Sequence, residues 1–238
     1  MLKPSKENEF RIFTSMKISI YLLVILSLCC CFSCNLDTVE PDTSRMGYDF
    51  FPYDEDAYRI YHVVSEHQAL DTIIAEDYYL KEVIGEEITS FTEYTIRLYR
   101  YKKETLSEEW ELDSVWAISP TATRVVVIEN DVSFTKLIFP LKFSSTWDGN
   151  AFNDHEEEMY FIDDFYEPKT FDELSFDTTL TVVHSETNTN NLINVDSRYE
   201  IYAKGVGLIY RYEEISETQP GESTLGRTYE QTLIEYGN

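Results

Sequence analysis

Eleven runs of β-branched and aromatic residues follow one another between residues 57 and 235, each closed by turn-forming residues, and this succession admits little besides an antiparallel sheet. The strands are expected at 57–64, 71–84, 90–102, 109–118, 123–129, 132–139, 156–163, 178–184, 199–204, 206–214 and 228–235. Within Tyr94-Thr95-Ile96-Arg97-Leu98 the apolar residues recur with period two, so Tyr94, Ile96 and Leu98 face a core and Thr95 and Arg97 face water. Asn130-Asp131 separates two such runs, and both residues tolerate the positive φ of a tight hairpin. The acidic, aromatic stretch 163–177 holds Pro168 and is read as room for a short helix around Phe171–Leu174. The expected fold is mainly β with little helix: one antiparallel sheet domain over 48–238, as a curved sheet, a sandwich or a half-barrel. Phe51-Pro52 before Tyr58 and Phe139-Pro140 before Trp147 raise the option of two related halves, although their spacings differ by one residue.

Nothing covalent helps this sheet to hold. All four cysteines, at positions 29, 30, 31 and 34, precede it, so no disulfide can staple the domain and its core must suffice.

Those cysteines end an apolar run from Ile18 to Phe32 with Lys17 on its amino side, the length and flank of a secretory h-region, and Ser33 is small enough for a signal peptidase. Cys34 is then the residue acylated after cleavage, with Cys29 second in line. A membrane-spanning helix is the competing reading of this run; the terminal cysteine cluster and the acidic stretch of Asp37, Glu40 and Asp42 favour processing. Residues 1–33 are assigned to the signal, with 1–15 as an upstream misread start before Met16, and 34–47 to an acylated flexible tether.

Charge narrows the partners. The whole chain carries a formal net charge of −25; removing the residues before Cys34 leaves 15 basic and 42 acidic residues, a net −27. Nucleic acid is excluded as a partner, because phosphate binding needs clustered Lys and Arg. Anionic headgroups are repelled too, which leaves the acyl chains as the contact with the membrane.

Phe139-Pro140-Leu141-Lys142 followed by Trp147-Asp148-Gly149-Asn150, together with Tyr199-Glu200-Ile201-Tyr202-Ala203-Lys204-Gly205-Val206-Gly207-Leu208, resembles a family of uncharacterised Bacteroidota lipoproteins with an FPL…W.GN segment and a late E-Y-A-K-G-V-G-L hairpin. The resemblance covers mainly residues 135–215. It implies export to the cell envelope, an outer-membrane anchor and a β-rich domain, and it brings no catalytic residues.

Recognisable chemistry is sparse. Ser133-Phe134-Thr135-Lys136 spells S-x-x-K, but inside a strand the two end residues have opposite parity, and no S-D-N or K-T-G accompanies it. Gly205-Val206-Gly207 lies between strands where a dinucleotide fingerprint needs a helix, so Gly205 and Gly207 are read as a structural turn or bulge. The four histidines lack zinc spacing, and Asp154-His155-Glu156-Glu157-Glu158 is read as a solvated acidic loop rather than a calcium site. No metal, cofactor or catalytic set is therefore assigned.

Aromatic content offers a binding idea. With 18 Tyr, 14 Phe and 3 Trp, the chain makes Trp110, Trp116 and Trp147 candidate platforms for a glycan, against the plain alternative that each packs the core. Asp-Thr-Val, Asp-Thr-Ile, Asp-Ser-Val and Asp-Thr-Thr mark Thr38, Thr72, Ser114 and Thr178 as candidate O-glycosylation sites. The expectation is a non-catalytic, lipid-anchored envelope protein that binds a ligand or surface component. The alternatives are a hydrolase of envelope glycan or lipid, and a structural part of an envelope assembly.

Overall fold

The computed structural model describes residues 43–69, 72–89, 94–186, 193–218 and 225–238. Cys34, Thr38, the signal segment and most of the tether lie outside these residues. In the unit Thr43–Asn238, two short 3₁₀ turns, Thr43–Arg45 and Tyr48–Phe50, precede twelve strands. These are β1 (Tyr58–Ala69), β2 (Thr72–Thr89), β3 (Tyr94–Lys103), β4 (Glu111–Pro120), β5 (Arg124–Glu129), β6 (Val132–Ile138), β7 (Thr146–Asp148), β8 (Met159–Phe171), β9 (Leu174–Glu186), β10 (Asn194–Ala203), β11 (Gly207–Glu217) and β12 (Leu225–Gly237).

All form one antiparallel sheet in the order β6-β5-β4-β3-β2-β1-β12-β11-β10-β9-β8-β7. Every neighbour is also a neighbour along the chain, apart from β12, which returns beside β1. The two ends of this order, β6 and β7, are bound to each other: the Thr135 N–H donates to the Gly149 carbonyl at 2.9 Å, and the Trp147 indole N–H donates to the Thr135 carbonyl at 2.8 Å. Asn153 adds a third link through its amide to the Ser133 carbonyl at 2.8 Å. A meander so stapled is a nearly closed barrel.

The strand period sets what fills it. In β5 the burial alternates along the strand, with Val125, Val127 and Glu129 buried and their neighbours half-buried. Cross-strand partners share a face, so Arg59, Tyr61 and Val63 of β1 point inward with Glu82, Leu80 and Tyr78 of β2. Ile96 and Leu98 are buried as their alternation requires and Arg97 lies on the other face, whereas Tyr94, expected to face the core, is exposed at the strand's start and donates its hydroxyl to Glu87 at 2.7 Å. Asn130 and Asp131 have φ of +50° and +69° and close the β5–β6 hairpin.

One end of the barrel is plugged. The segment 43–57 crosses it, tied by Asp56 N–H to Ile84 O, Leu141 N–H to Met46 O, Gly205 N–H to Asp49 O and the Tyr48 hydroxyl to Ala122 O. It drives Phe50 and Phe51 into a core with Ile84, Ile96, Ile118, Leu137, Phe139, Leu180 and Tyr202. A second cluster joins Tyr61, Leu80, Ile209 and Leu233 to Phe176, Ile201, Ala203 and Tyr210, and the Phe171 ring stacks on Tyr210 at 5.0 Å. The two Phe-Pro pairs stand at matching places, Phe51-Pro52 before β1–β6 and Phe139-Pro140 before β7–β12.

Two expectations need correction. Phe171–Leu174 is not helical: Asp172-Glu173 form a tight turn, with Asp172 at φ +48°, between the long strands β8 and β9. β7 went unread because three residues, Thr146-Trp147-Asp148, are too few to show alternation.

Candidate functional site: a charged lumen

At the end away from the plug, the apolar filling gives way to ions. Lys136 of β6 lies 2.6 Å from Glu129 of β5 and 2.8 Å from Glu200 of β10. Arg211 of β11 contacts Glu129 at 3.3 Å and Glu213 at 2.7 Å, and Glu213 also holds Arg227 at 2.7 Å. Glu200 accepts the Tyr202 hydroxyl at 2.5 Å and has the His184 Nε2 at 3.4 Å. On the opposite wall Glu82 is shared by Arg100 at 3.2 Å and Arg59 at 3.8 Å, while the Arg100 guanidinium lies 3.6 Å from the Trp116 ring centroid.

Burial and pairing pull these groups in opposite directions. Burial alone would raise the Glu200 carboxyl, but the charges of Lys136 and Arg211 outweigh it and hold Glu200 well below its ordinary 4.5. Glu129 and Glu213 are lowered in the same way, by Lys136 and Arg211 and by Arg211 and Arg227 respectively, each against its own burial. Lys136 is raised: burial would lower it, and Glu129 with Glu200 prevails. His184 goes the other way; burial holds it below 6.5 and neutral, with its ring stacked 3.9 Å from that of Tyr160. Burial also raises the Tyr61 and Tyr202 hydroxyls well above 10, so both remain donors.

The chemistry of hydrolysis fits this poorly. A carboxyl acting as general acid near neutrality needs a raised pKa, and an attacking lysine a lowered one. Here Glu129, Glu200 and Glu213 are lowered and Lys136 is raised.

Two adjacent spaces occupy the lumen. An inner chamber of about 30 Å³ is lined by Arg59, Glu82, Lys136, Glu200, Gly207 and Gln231 among others. A mouth of about 350 Å³ is lined by Tyr78, Tyr229, Arg227, Glu213, Glu66 and His67. Arg100, Trp116, Glu129 and Arg211 line both and form the partition between them.

The sequence-derived candidates are scattered. Trp116 is only 8 % exposed, with a guanidinium over its face and its indole N–H on Asn130 at 3.3 Å. Trp147 is 6 % exposed and belongs to the β6–β7 junction. Neither offers a free face to a sugar, which corrects the platform idea for both: each indole packs, and its N–H is satisfied by the barrel itself. Trp110 is half-buried beneath the Lys103 ammonium, 4.3 Å from its ring centroid. Gly205 and Gly207 have φ of +76° and +94° and turn the chain from β10 into β11; Gly207 also lines the inner chamber. Thr72 is exposed at the start of β2, Ser114 is half-buried and donates to Asp113 at 2.9 Å, and Thr178 is half-buried on β9. Lys136 is bound to carboxylates rather than serving Ser133, and His67 alone of the histidines reaches the mouth. Among the described residues no three His, Cys, Asp or Glu side chains group as a metal site, and no helix is long and apolar enough to cross a membrane.

The ion cluster itself went unread, although a signal existed: Glu129 and Glu200 stand at core-parity positions, beside Val127 and Tyr202 two residues away. No protein-family model, curated protein or solved structure matches the chain.

Proposed function

We propose that this chain is an exported, lipid-anchored envelope protein that binds a small polar ligand in the mouth of its barrel and performs no catalysis. The anchor rests on the Ile18–Phe32 run ending at Cys34. The ligand reading is carried by the mouth: a space of about 350 Å³ whose walls combine the rings of Tyr78 and Tyr229 with ion-paired donors and acceptors. Aromatic walls with a few fixed polar groups are how proteins orient small polar molecules. The non-catalytic reading is supported by Glu129, Glu200 and Lys136 being held in charged, paired forms.

Calorimetric titration of the detergent-solubilised full chain with neutral and acidic saccharides tests this. Saturable binding of at least one, weakened tenfold or more by Tyr78→Ala or Tyr229→Ala, supports the reading. Failure of every saccharide removes the ligand class, and chemical conversion of an added saccharide, followed by mass spectrometry, overturns the absence of catalysis.

A further inference from the structure

Two buried donors of the inner chamber make no hydrogen bond, one of them 3.8 Å from the Glu82 carboxylate. Arg59 and Gln231 are 6 % and 2 % exposed, and both line the chamber. The Arg59 Nε and the Gln231 Nε2 have no hydrogen-bond partner, although the other Gln231 amide atom accepts the Tyr229 hydroxyl at 2.7 Å. A buried donor without an acceptor costs free energy, so these two N–H groups call for an oxygen between them and the cavity.

Charge says which kind. Four cations, Arg59, Arg100, Lys136 and Arg211, line the chamber against three carboxylates, Glu82, Glu129 and Glu200. The excess belongs to the chamber's own lining; beyond it lie the buried Glu213 and its exposed partner Arg227. Glu66, at the outer lip, is exposed to water. A positive excess inside a protein of net −25 is out of keeping with the rest of the chain.

We infer that the inner chamber is a carboxylate-binding site, and that the ligand in the mouth is an organic monocarboxylate, such as an acidic sugar, with its carboxylate seated against Arg59 and Gln231. Size agrees: about 30 Å³ accommodates roughly two water-sized groups at about 10–15 Å³ each, the two oxygens of one carboxylate. Paired guanidinium and amide donors suit that group. Arg100 and Arg211, which line both spaces, then hold the junction between carboxylate and body. The anionic exterior does not forbid entry, since its repulsion is screened beyond about 8 Å at physiological salt. This deepens the ligand-binding reading and rests on it for the body of the ligand; the carboxylate seat is testable without that body.

Melting of the detergent-solubilised full chain is measured in acetate, chloride and uncharged acetamide at matched ionic strength. Acetate is expected to raise Tm saturably, by roughly 5–10 °C at a hundredfold excess over its Kd, with no comparable rise in chloride or acetamide. In Gln231→Glu an internal carboxylate replaces the free donor, so the acetate response disappears while Tm without acetate is unchanged or higher. Should that variant not fold, exchange broadening of ¹³C-acetate by the wild-type protein, absent for ¹³C-acetamide, reads the same site. Equal responses to acetate and acetamide mean the chamber holds water alone, and equal responses to acetate and chloride mean a generic ion site; either overturns the inference. Tyr78→Ala is expected to leave the acetate response intact, which separates failure of the seat from failure of the mouth.

Discussion

Lys136 and Glu200 meet at 2.8 Å across the lumen, though β7, β8 and β9 stand between their strands even by the short way round, across the β6–β7 closure. Both are almost wholly buried, and Lys136 simultaneously holds Glu129. Lys136→Met removes one cation and leaves Glu129 and Glu200 facing each other with only Arg211, at 3.3 and 3.8 Å, between them. A loss of about 3–5 kcal/mol in urea unfolding is expected, because the penalty of an uncompensated buried charge exceeds the net worth of the pair. A loss under about 1 kcal/mol would mean that water enters the lumen and solvates them.

Acid should unfold the protein through the same cluster. Glu129, Glu200 and Glu213 are lowered in the folded state, so the unfolded chain binds more protons below the ordinary value of 4.5. Their contribution is complete above that value and is lost as pH falls through the lowered folded values. Stability measured by urea from pH 6 to pH 3 should decline steeply below about pH 4.5, and a flat profile there would contradict the pairing.

His184 adds a second, milder window. Burial lowers its folded pKa below 6.5, so the unfolded chain takes up a proton first as pH falls from 6.5, and stability declines until the folded histidine also protonates. His184→Phe keeps a ring against Tyr160 and should abolish this part of the slope. An unchanged slope between pH 6.5 and 5 would assign it elsewhere.

The glycines of the β10–β11 turn should differ in their reason for intolerance. A Cβ on Gly205 would meet nothing within 4 Å, so Gly205→Ala bears only the left-handed φ, about 1 kcal/mol. At Gly207 a Cβ would lie 2.9 Å from the Arg59 Nη1, so Gly207→Val adds displacement of a buried guanidinium to the φ strain and should cost more than Gly205→Ala in the same unfolding assay. Equal losses would show that Arg59 moves freely.

Cys34→Ser tests the anchor. Acylation is expected to stop, leaving an unprocessed precursor or a released form. Mass spectrometry finding an unacylated mature terminus at another residue would sink the assignment.

The sheet was legible in the sequence because its signals are local. Eleven runs read from β-branched and aromatic content correspond to eleven strands, and Asn130-Asp131 announces its hairpin through backbone tolerance of positive φ. Closure was not legible, since it depends on β12 returning to β1 and on the Thr135–Gly149 hydrogen bond, pairings between residues whose types would suit many registers. The lumen was hidden for a related reason. Glu129, Lys136, Glu200 and Arg211 are ordinary surface residue types, and only cross-barrel geometry turns them into a buried cluster. The tryptophans misled because size and a polar N–H suit a core as well as a ligand: Trp116 and Trp147 each satisfy that N–H on the barrel.

The hydrogen bonds joining Thr135 to Gly149 and Trp147, with Asn153 on Ser133, occupy the two strands that would otherwise end the sheet. An open sheet edge is a template on which another chain can add a strand. By turning edge groups toward each other at this seam, the barrel offers a neighbouring copy less backbone to recruit.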